Sequence, residues 1–271
     1  MDLIVLIIFG SVQAVRSGHQ LKKAPLKHLK KITMSSKFNE SSNIIVALDY
    51  NKEKNALDMA NTLDPTLCIL KVGLELYVSC GPKIVKELHK LGYRIFLDLK
   101  LHDITNTVIK SSLIAADLGV WMINVHSSGG TNMMAGVANA IKDNNYSTLV
   151  TGVTILTSLD DDDIKTIGYS SNTKDQVMKM AALCYDSGLN GIVCSAHEAK
   201  NIKNELKDNF ICVCPGIRRS EDNKDDQKRI MTPGMAANNG ADYIVVGRPI
   251  TNSRNPLESL IKIKKEFNNT L

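Results

Sequence analysis

From Asn43 onward the chain alternates short apolar runs with longer stretches of helical spacing. The runs Ile44–Asp49, Leu67–Val72, Arg94–Lys100, Trp121–His126, Thr148–Leu156, Gly191–Ser195, Phe210–Pro215 and Tyr243–Gly247 read as strands, being short and rich in Val, Ile and Leu. Between them Lys52–Leu63, Pro82–Leu91, Ile104–Leu118, Asn132–Asp143, Lys174–Ser187, Ala196–Leu206, Thr232–Asn239 and Pro256–Phe267 read as amphipathic helices. Nearly continuous apolar strands separated by helices imply a parallel sheet covered on both faces. Eight such units in about 225 residues imply an α/β protein closed into a (β/α)8 TIM barrel. An open doubly wound sheet is the competing arrangement. No glycine-rich Gly-x-Gly-x-x-Gly follows the first strand, which counts against it.

The polar residues of this pattern fall in one place. Asp49, Lys71, Asp98, Lys100, His126, Thr157, Pro215-Gly216 and Gly247-Arg248 lie at or just past the C-terminal ends of predicted strands. In a barrel those ends share one rim, where the chemistry of such folds is carried out. The run Phe96-Leu97-Asp98-Leu99-Lys100-Leu101-His102-Asp103-Ile104 holds the densest charge. Residues two apart in a strand project to the same side, so Asp98 and Lys100 should point together, with Asp103 at the start of the next helix. A single Asp or Lys at a barrel mouth reads as part of a structural ion-pair network. Four alternating charges on neighbouring strand ends (Asp49, Lys71, Asp98 and Lys100) favour a site. Opposite charges within about 4–6 Å keep each other ionised despite partial burial, which sets a proton donor beside a fixed negative charge.

Two further loops suit an anion. Barrels often hold phosphate with the loops after strands 7 and 8. Here those loops are Pro215-Gly216-Ile217-Arg218 and Gly247-Arg248. A turn glycine with a solvated arginine is the lesser reading of either loop alone. Both together suggest a phosphorylated substrate, because glycine admits close backbone approach and arginine grips phosphate oxygens in pairs. The segment from Arg218 to Lys228 is charged, lacks apolar periodicity and reads as a lid, with Gln227 near its end. The hydroxyls of Val153-Thr154-Ile155-Leu156-Thr157-Ser158 either bond a polar ring or cap a helix starting near Leu159. Asp160–Asp163 reads as a solvated helix start favoured by the dipole rather than as a metal site. His126 is as compatible with a structural role as with a catalytic one, and His102 reads as structural or supporting.

Composition narrows the remaining classes. The hydrophobic fraction of 44% and charged fraction of 23% are ordinary for a soluble globular protein. The net charge of +5 resides in residues 1–40, which hold Arg16, Lys22, Lys23, Lys27, Lys30, Lys31 and Lys37 against Asp2 and Glu40. The rest of the chain is electrically balanced and gives no case for a nucleic-acid partner. The apolar run Leu3–Phe9 falls far short of the roughly 20 residues a membrane span needs. It also precedes the basic residues, the reverse of a signal peptide. Residues 1–42 therefore read as an N-terminal extension, disordered or not part of the native start, with Met34 an alternative start. Residues 43–271 read as a single catalytic barrel domain. The cysteines Cys68, Cys80, Cys184, Cys194, Cys212 and Cys214 form no CxxC pair and no zinc-like spacing, as expected of buried, reduced thiols in a cytoplasmic protein.

The Asp98-x-Lys100-x-x-Asp103-Ile104 motif resembles the signature of the orotidine 5′-phosphate decarboxylases, in their bacterial form. Asp49, Lys71, Leu156-Thr157-Ser158, Pro215-Gly216-Ile217-Arg218, Gln227 and Gly247-Arg248 extend the resemblance in order from Asn43 to the C-terminus. Related barrel decarboxylases and aldolases share the core motif, whereas the whole set is far more specific. The resemblance implies decarboxylation of orotidine 5′-phosphate to UMP without cofactor or metal. It implies that Lys100 delivers a proton to pyrimidine C6, that Asp98 sits beside the substrate carboxylate, and that Asp49 and Lys71 hold ribose hydroxyls. Thr157 would contact the pyrimidine amide edge. Gln227, Gly247 and Arg248 would hold the phosphate, with Pro215 and Arg218 nearby. Asp103, Ile104 and Thr107 would reach into the partner's site across a homodimer. Family members usually carry proline where this chain has Thr105, a difference in turn rigidity rather than in an acting group.

Overall fold

The structure is a computed structural model that describes residues 42–206, 209–218 and 231–269, with the backbone of 4–8 and 11–15. The chain divides into two units, Met1–Phe38 and Asn39–Leu271. In the first, Ile4–Ile8 and Ser11–Val15 pair antiparallel.

The second unit is a closed barrel of eight parallel strands, each followed by helix. The strands are β1 (Ile44–Ala47), β2 (Ile69–Gly73), β3 (Ile95–Leu101), β4 (Met122–His126), β5 (Leu149–Val153), β6 (Gly191–Val193), β7 (Ile211–Cys214) and β8 (Tyr243–Val246). They follow one another round the barrel in sequence order, and Ile244–Val246 of β8 pairs with Ile44–Val46 of β1 to close it. The alternation expected of strands divides their side chains into two layers. Ile45 and Ala47 join Ile69, Phe96, Met122, Val213 and Val245 inside the barrel. Ile44 and Val46 join the larger layer between sheet and helices. Burying each Ile or Val side chain contributes roughly 2 kcal/mol, which is why the strands read as continuous apolar runs. At the N-terminal end of the barrel, Trp121 meets Tyr243 edge-on at 5.0 Å and carries the Arg94 guanidinium 5.1 Å above its ring. These groups plug the floor and leave the opposite rim for the site.

Several predicted helix ends are the caps of observed helices. Lys83–Lys90 is flanked by Pro82 and Leu91, and Thr105–Asp117 by Ile104 and Leu118. Two helices escape the periodicity because they are too short to show it, Leu74–Cys80 and Arg248–Thr251, while the likewise short Asp161–Thr166 is marked by its acidic start alone. The first buries only Leu76, leaves Leu74 and Val78 exposed, and ends at Gly81, whose φ of 63° suits glycine. The fifth strand is shorter than expected, ending at Val153 rather than Leu156. Asp160 caps the Asp161–Thr166 helix in a reciprocal capping box with Asp163, so the acidic cluster is a helix start, as its pattern suggests. The six cysteines are free thiols, five of them buried and Cys80 partly so. No helix among the described residues is long and apolar enough to cross a membrane.

Candidate active site

The first three strands bring four charges together at the rim. Lys71 Nζ lies 3.1 Å from Asp49 Oδ1 and 3.4 Å from Asp98 Oδ2. Lys100 Nζ lies 2.7 Å from Asp98 Oδ1. Asp98 thus has an ammonium on each oxygen, and Lys71 bridges two carboxylates. Lys71 and Asp98 are buried, Lys100 is half-exposed and Asp49 is exposed. Burial alone would push the Lys71 ammonium toward the neutral amine. Asp98 and Asp49 outweigh it and hold Lys71 above the ordinary lysine value of 10.5. Burial likewise disfavours the Asp98 anion, but Lys71, Lys100 and an amide hydrogen bond from Asn124 outweigh it, and Asp98 is held below its usual 3.8. Lys71 and Asp98 are thus both charged at neutral pH. The Lys71 ammonium occupies the place between Asp49 and Asp98 that a bridging divalent cation would need.

Asp98 and Lys100 do converge, but not by simple strand alternation. Leu97 pairs with Ile123 and Leu101 with Val125, so four steps along β3 match two along β4. The extra residues arch out as a bulge, a device that re-aims side chains beside sites. Lys100 sits in the arch with φ 51°, a left-handed backbone that costs a residue with a Cβ roughly 1–2 kcal/mol. Asn124, fully buried on β4, faces the arch. Its Oδ1 accepts from the Lys100 backbone N–H at 2.7 Å, and its Nδ2 donates to Asp98 Oδ1 at 2.7 Å. Gly73, at the end of β2, leaves room for the Lys71 ammonium: a Cβ there would stand 2.9 Å from Nζ.

These charges form one wall of a cavity of about 580 Å³ at the C-terminal ends of the strands. Pro215, Gly216 and Arg218 line it from the loop after β7, diametrically opposite β3 in the strand order. Gly216 has φ 77°, so the turn there favours glycine. Gly247 and Arg248 line it from the loop after β8, where Arg248 opens a short helix. Thr157 and Ser158 also line the cavity, and the nearby helix is capped by Asp160 instead. Phe96, Ile155, Val193, Cys194 and Val245 supply apolar lining. The arrangement suits a ligand with a charged head, an apolar-faced ring and a phosphate at the far side.

Comparison with known proteins agrees with this geometry. The sequence profile of the orotidine 5′-phosphate decarboxylase / HUMPS family matches residues 42–263. The chain belongs to this family. It is 46% identical over 224 residues to an orotidine 5′-phosphate decarboxylase of Saccharophagus degradans, covering 83% of this chain and 94% of that protein. It is 49% identical over 229 residues to one from a Marinomonas species, covering 83% and 97%. Among solved structures, the orotidine 5′-phosphate decarboxylase of Lactobacillus acidophilus superposes with a TM-score of 0.75 at 35% identity, covering 84% of this chain and 99% of that one. The chain is therefore a carboxy-lyase of the orotidine 5′-phosphate decarboxylase family, and the TIM barrel expected from its pattern is the fold it has.

Of the decarboxylase residues expected from the sequence, Asp49, Lys71, Asp98, Lys100, Thr157, Pro215, Arg218, Gly247 and Arg248 line the one cavity. Asp103, Ile104 and Thr107 do not. They are exposed on the segment leaving β3, and Asp103 Oδ1 accepts from the Ile104 backbone N–H at 2.6 Å. Gln227 and the rest of the expected lid, 219–230, lie outside the described residues. The two ends of that segment meet, with Ile217 bridged to Met231 and the Arg218 N–H donating to the Met231 carbonyl at 3.1 Å. His126 stacks on His102 at 5.3 Å and its Nδ1 accepts from the Ser128 N–H, a turn-capping role outside the cavity. Burial, then His102 and Lys100, lower the His126 pKa and keep it neutral at pH 7. Sequence reasoning missed Asn124 and Gly73. The signal for Asn124 was present: one amide inside the apolar run Met122-Ile123-Asn124-Val125. Gly73 carried none, since its role is the space it leaves.

Proposed function

We propose that this chain converts orotidine 5′-phosphate to UMP and CO2 in the cytoplasm, the last step of pyrimidine nucleotide synthesis, with Lys100 protonating C6 and no cofactor taking part. The observation that carries this reading is the Lys71–Asp98–Lys100 set, held in contact by two ion pairs in one cavity opposite two phosphate-suited loops. Loss of CO2 from C6 breaks the C6–carboxylate bond and leaves its electron pair on a ring carbon with little resonance help. A fixed ammonium offsets that charge as it develops, and preorganised electrostatics of this kind usually contribute more to catalysis than any other single effect. The Lys100 proton then passes to C6, and solvent restores the ammonium. Asp98 repels the substrate carboxylate beside it, and the repulsion is relieved as neutral CO2 leaves. Lys71 and Asp49 reach the ribose hydroxyls, and Thr157 the pyrimidine amide edge. Gly247 and Arg248, with Pro215 and Arg218 near them, hold the phosphate, assisted by Gln227. Binding energy from this remote phosphate offsets the strain at C6.

The same reading makes the enzyme a homodimer with shared sites. Asp103, Ile104 and Thr107 are exposed and do not line their own cavity, and Ile104 is a large apolar side chain left 77% exposed. Absorbance of orotidine 5′-phosphate with purified protein and EDTA tests the activity. Conversion at a rate indifferent to EDTA is expected, and an unchanged spectrum refutes the reading.

A further inference from the structure

We propose that Asn124 is a positioning residue for the proton-donor lysine, its buried amide clamping Lys100 and Asp98 across the bulge of β3. The inference rests on the decarboxylase reading above and deepens it. Regular pairing fails where four steps of β3 face two of β4, so the ladder cannot satisfy the arch. The Lys100 N–H is bonded instead by the Asn124 side chain at 2.7 Å. The other end of the same amide donates at 2.7 Å to Asp98 Oδ1, the oxygen that also accepts from Lys100 Nζ at 2.7 Å. One side chain therefore ties together the backbone of the donor residue and the carboxylate that aims its ammonium.

The residue type is dictated by this double duty. A backbone N–H only donates and an ionised carboxylate only accepts, so the amide oxygen must face Lys100 and the amide nitrogen Asp98. Leucine fills a similar volume and bonds neither. Aspartate satisfies the N–H but sets a second carboxylate against Asp98. A fully buried amide among Met122, Ile123 and Val125 costs free energy unless both ends are bonded, and here both are. Without the clamp, no regular ladder pairing among the described residues supports the left-handed backbone of Lys100 (φ 51°), and the ammonium loses the backbone that fixes its aim. The charged groups near the amide are Asp98 and Lys100 on β3, with Lys71 of β2 behind Asp98. His126 on its own strand stacks on His102. Its partner on β5, Thr151, does not titrate and turns its hydroxyl to the Ile123 carbonyl.

The experiment compares wild type, Asn124→Leu and Asn124→Asp, each checked for folding by circular dichroism, for kcat on orotidine 5′-phosphate and for UMP affinity between pH 5 and 8. Misplacing a donor by about 1 Å costs around 100-fold, so Asn124→Leu should lose about that in kcat at every pH while UMP affinity moves less than threefold. In Asn124→Asp the two carboxylates share a proton at low pH, and an O–H then stands where the amide N–H was. Its rate relative to wild type should be lowest at pH 8 and rise up to about tenfold per unit as pH falls. A purely structural role would not give that recovery. The proposal is overturned by Asn124→Leu within threefold of wild-type kcat, or by an Asn124→Asp ratio flat with pH. A crystal structure of folded Asn124→Leu, which bonds neither partner, decides independently of turnover. Lys100 should leave φ near 50° or move Nζ beyond hydrogen-bond reach of Asp98, and unchanged geometry in both respects refutes the clamp. Inactive wild type overturns the functional reading alone, because the structural arm still judges the clamp.

Discussion

Replacing Gly73 by alanine should impair turnover while leaving the fold intact. The backbone at Gly73 (φ −87°, ψ 179°) is open to any residue, so alanine brings no strain there. Fewer unfolded conformers would even stabilise the protein by about 0.4–1 kcal/mol. The cost falls on Lys71, whose Nζ would lie 2.9 Å from the new methyl group. Ordinary contact needs about 3.4–3.5 Å, so the ammonium must retreat by about 0.5 Å. It lies 3.1 Å from Asp49 and 3.4 Å from Asp98, and lengthening the second contact by 0.5 Å at an effective dielectric of 20 weakens it by about 0.6 kcal/mol. With the misplacement of the substrate groups that Lys71 holds, a loss of about tenfold in kcat/KM is expected. Steady-state kinetics and urea denaturation of both proteins measure the two effects separately. Unchanged kcat/KM, or destabilisation beyond about 2 kcal/mol, would refute the idea that the glycine is there to seat the ammonium.

The ionic contribution of the charge set should have two pH edges. Asp98 is held below 3.8, so its share is present above that value and lost as pH falls through its lower folded value; Lys71 is held above 10.5, so its share is present below that value and lost as pH rises through its higher one. The stability difference between wild type and Asp98→Asn, from denaturant midpoints, should therefore be flat from about pH 5 to 9 and change below about pH 4. Arg248→Ala should raise KM by about 10–100-fold through loss of a phosphate contact worth roughly 1.5–3 kcal/mol, and a KM within twofold of wild type would move the phosphate elsewhere. Mixing inactive Asp103→Ala and Lys100→Ala subunits should restore activity if each site borrows Asp103 from its neighbour, and a mixture that stays dead would count against sharing.

The barrel was legible because fully buried parallel strands cannot hide: each is a Val/Ile-rich run bounded by helical spacing. The four rim charges were legible for the complementary reason, since charge at the end of an apolar strand has few inexpensive explanations. What stayed hidden depends on backbone detail. Strand alternation alone predicts that Asp98 and Lys100 converge, yet the bulge and left-handed Lys100 that bring them together in space leave no mark in a two-residue period. Asn124 was visible as a polar interruption of β4, but only the bulge shows what it bonds. Leu74–Cys80 is too short to establish a period, and its exposed Leu74 and Val78 obscure the little there is.

In the proposed mechanism Lys100 is the proton donor, held ready by Asp98 2.7 Å away. The direct measurement is kcat on orotidine 5′-phosphate for wild type and Lys100→Ala, alongside UMP affinity for both. General-acid and electrostatic contributions lost together should lower kcat by at least about 10⁴-fold, while UMP, gripped at its phosphate, should bind within tenfold of wild type. A Lys100→Ala enzyme that turns over near the wild-type rate would contradict the assignment.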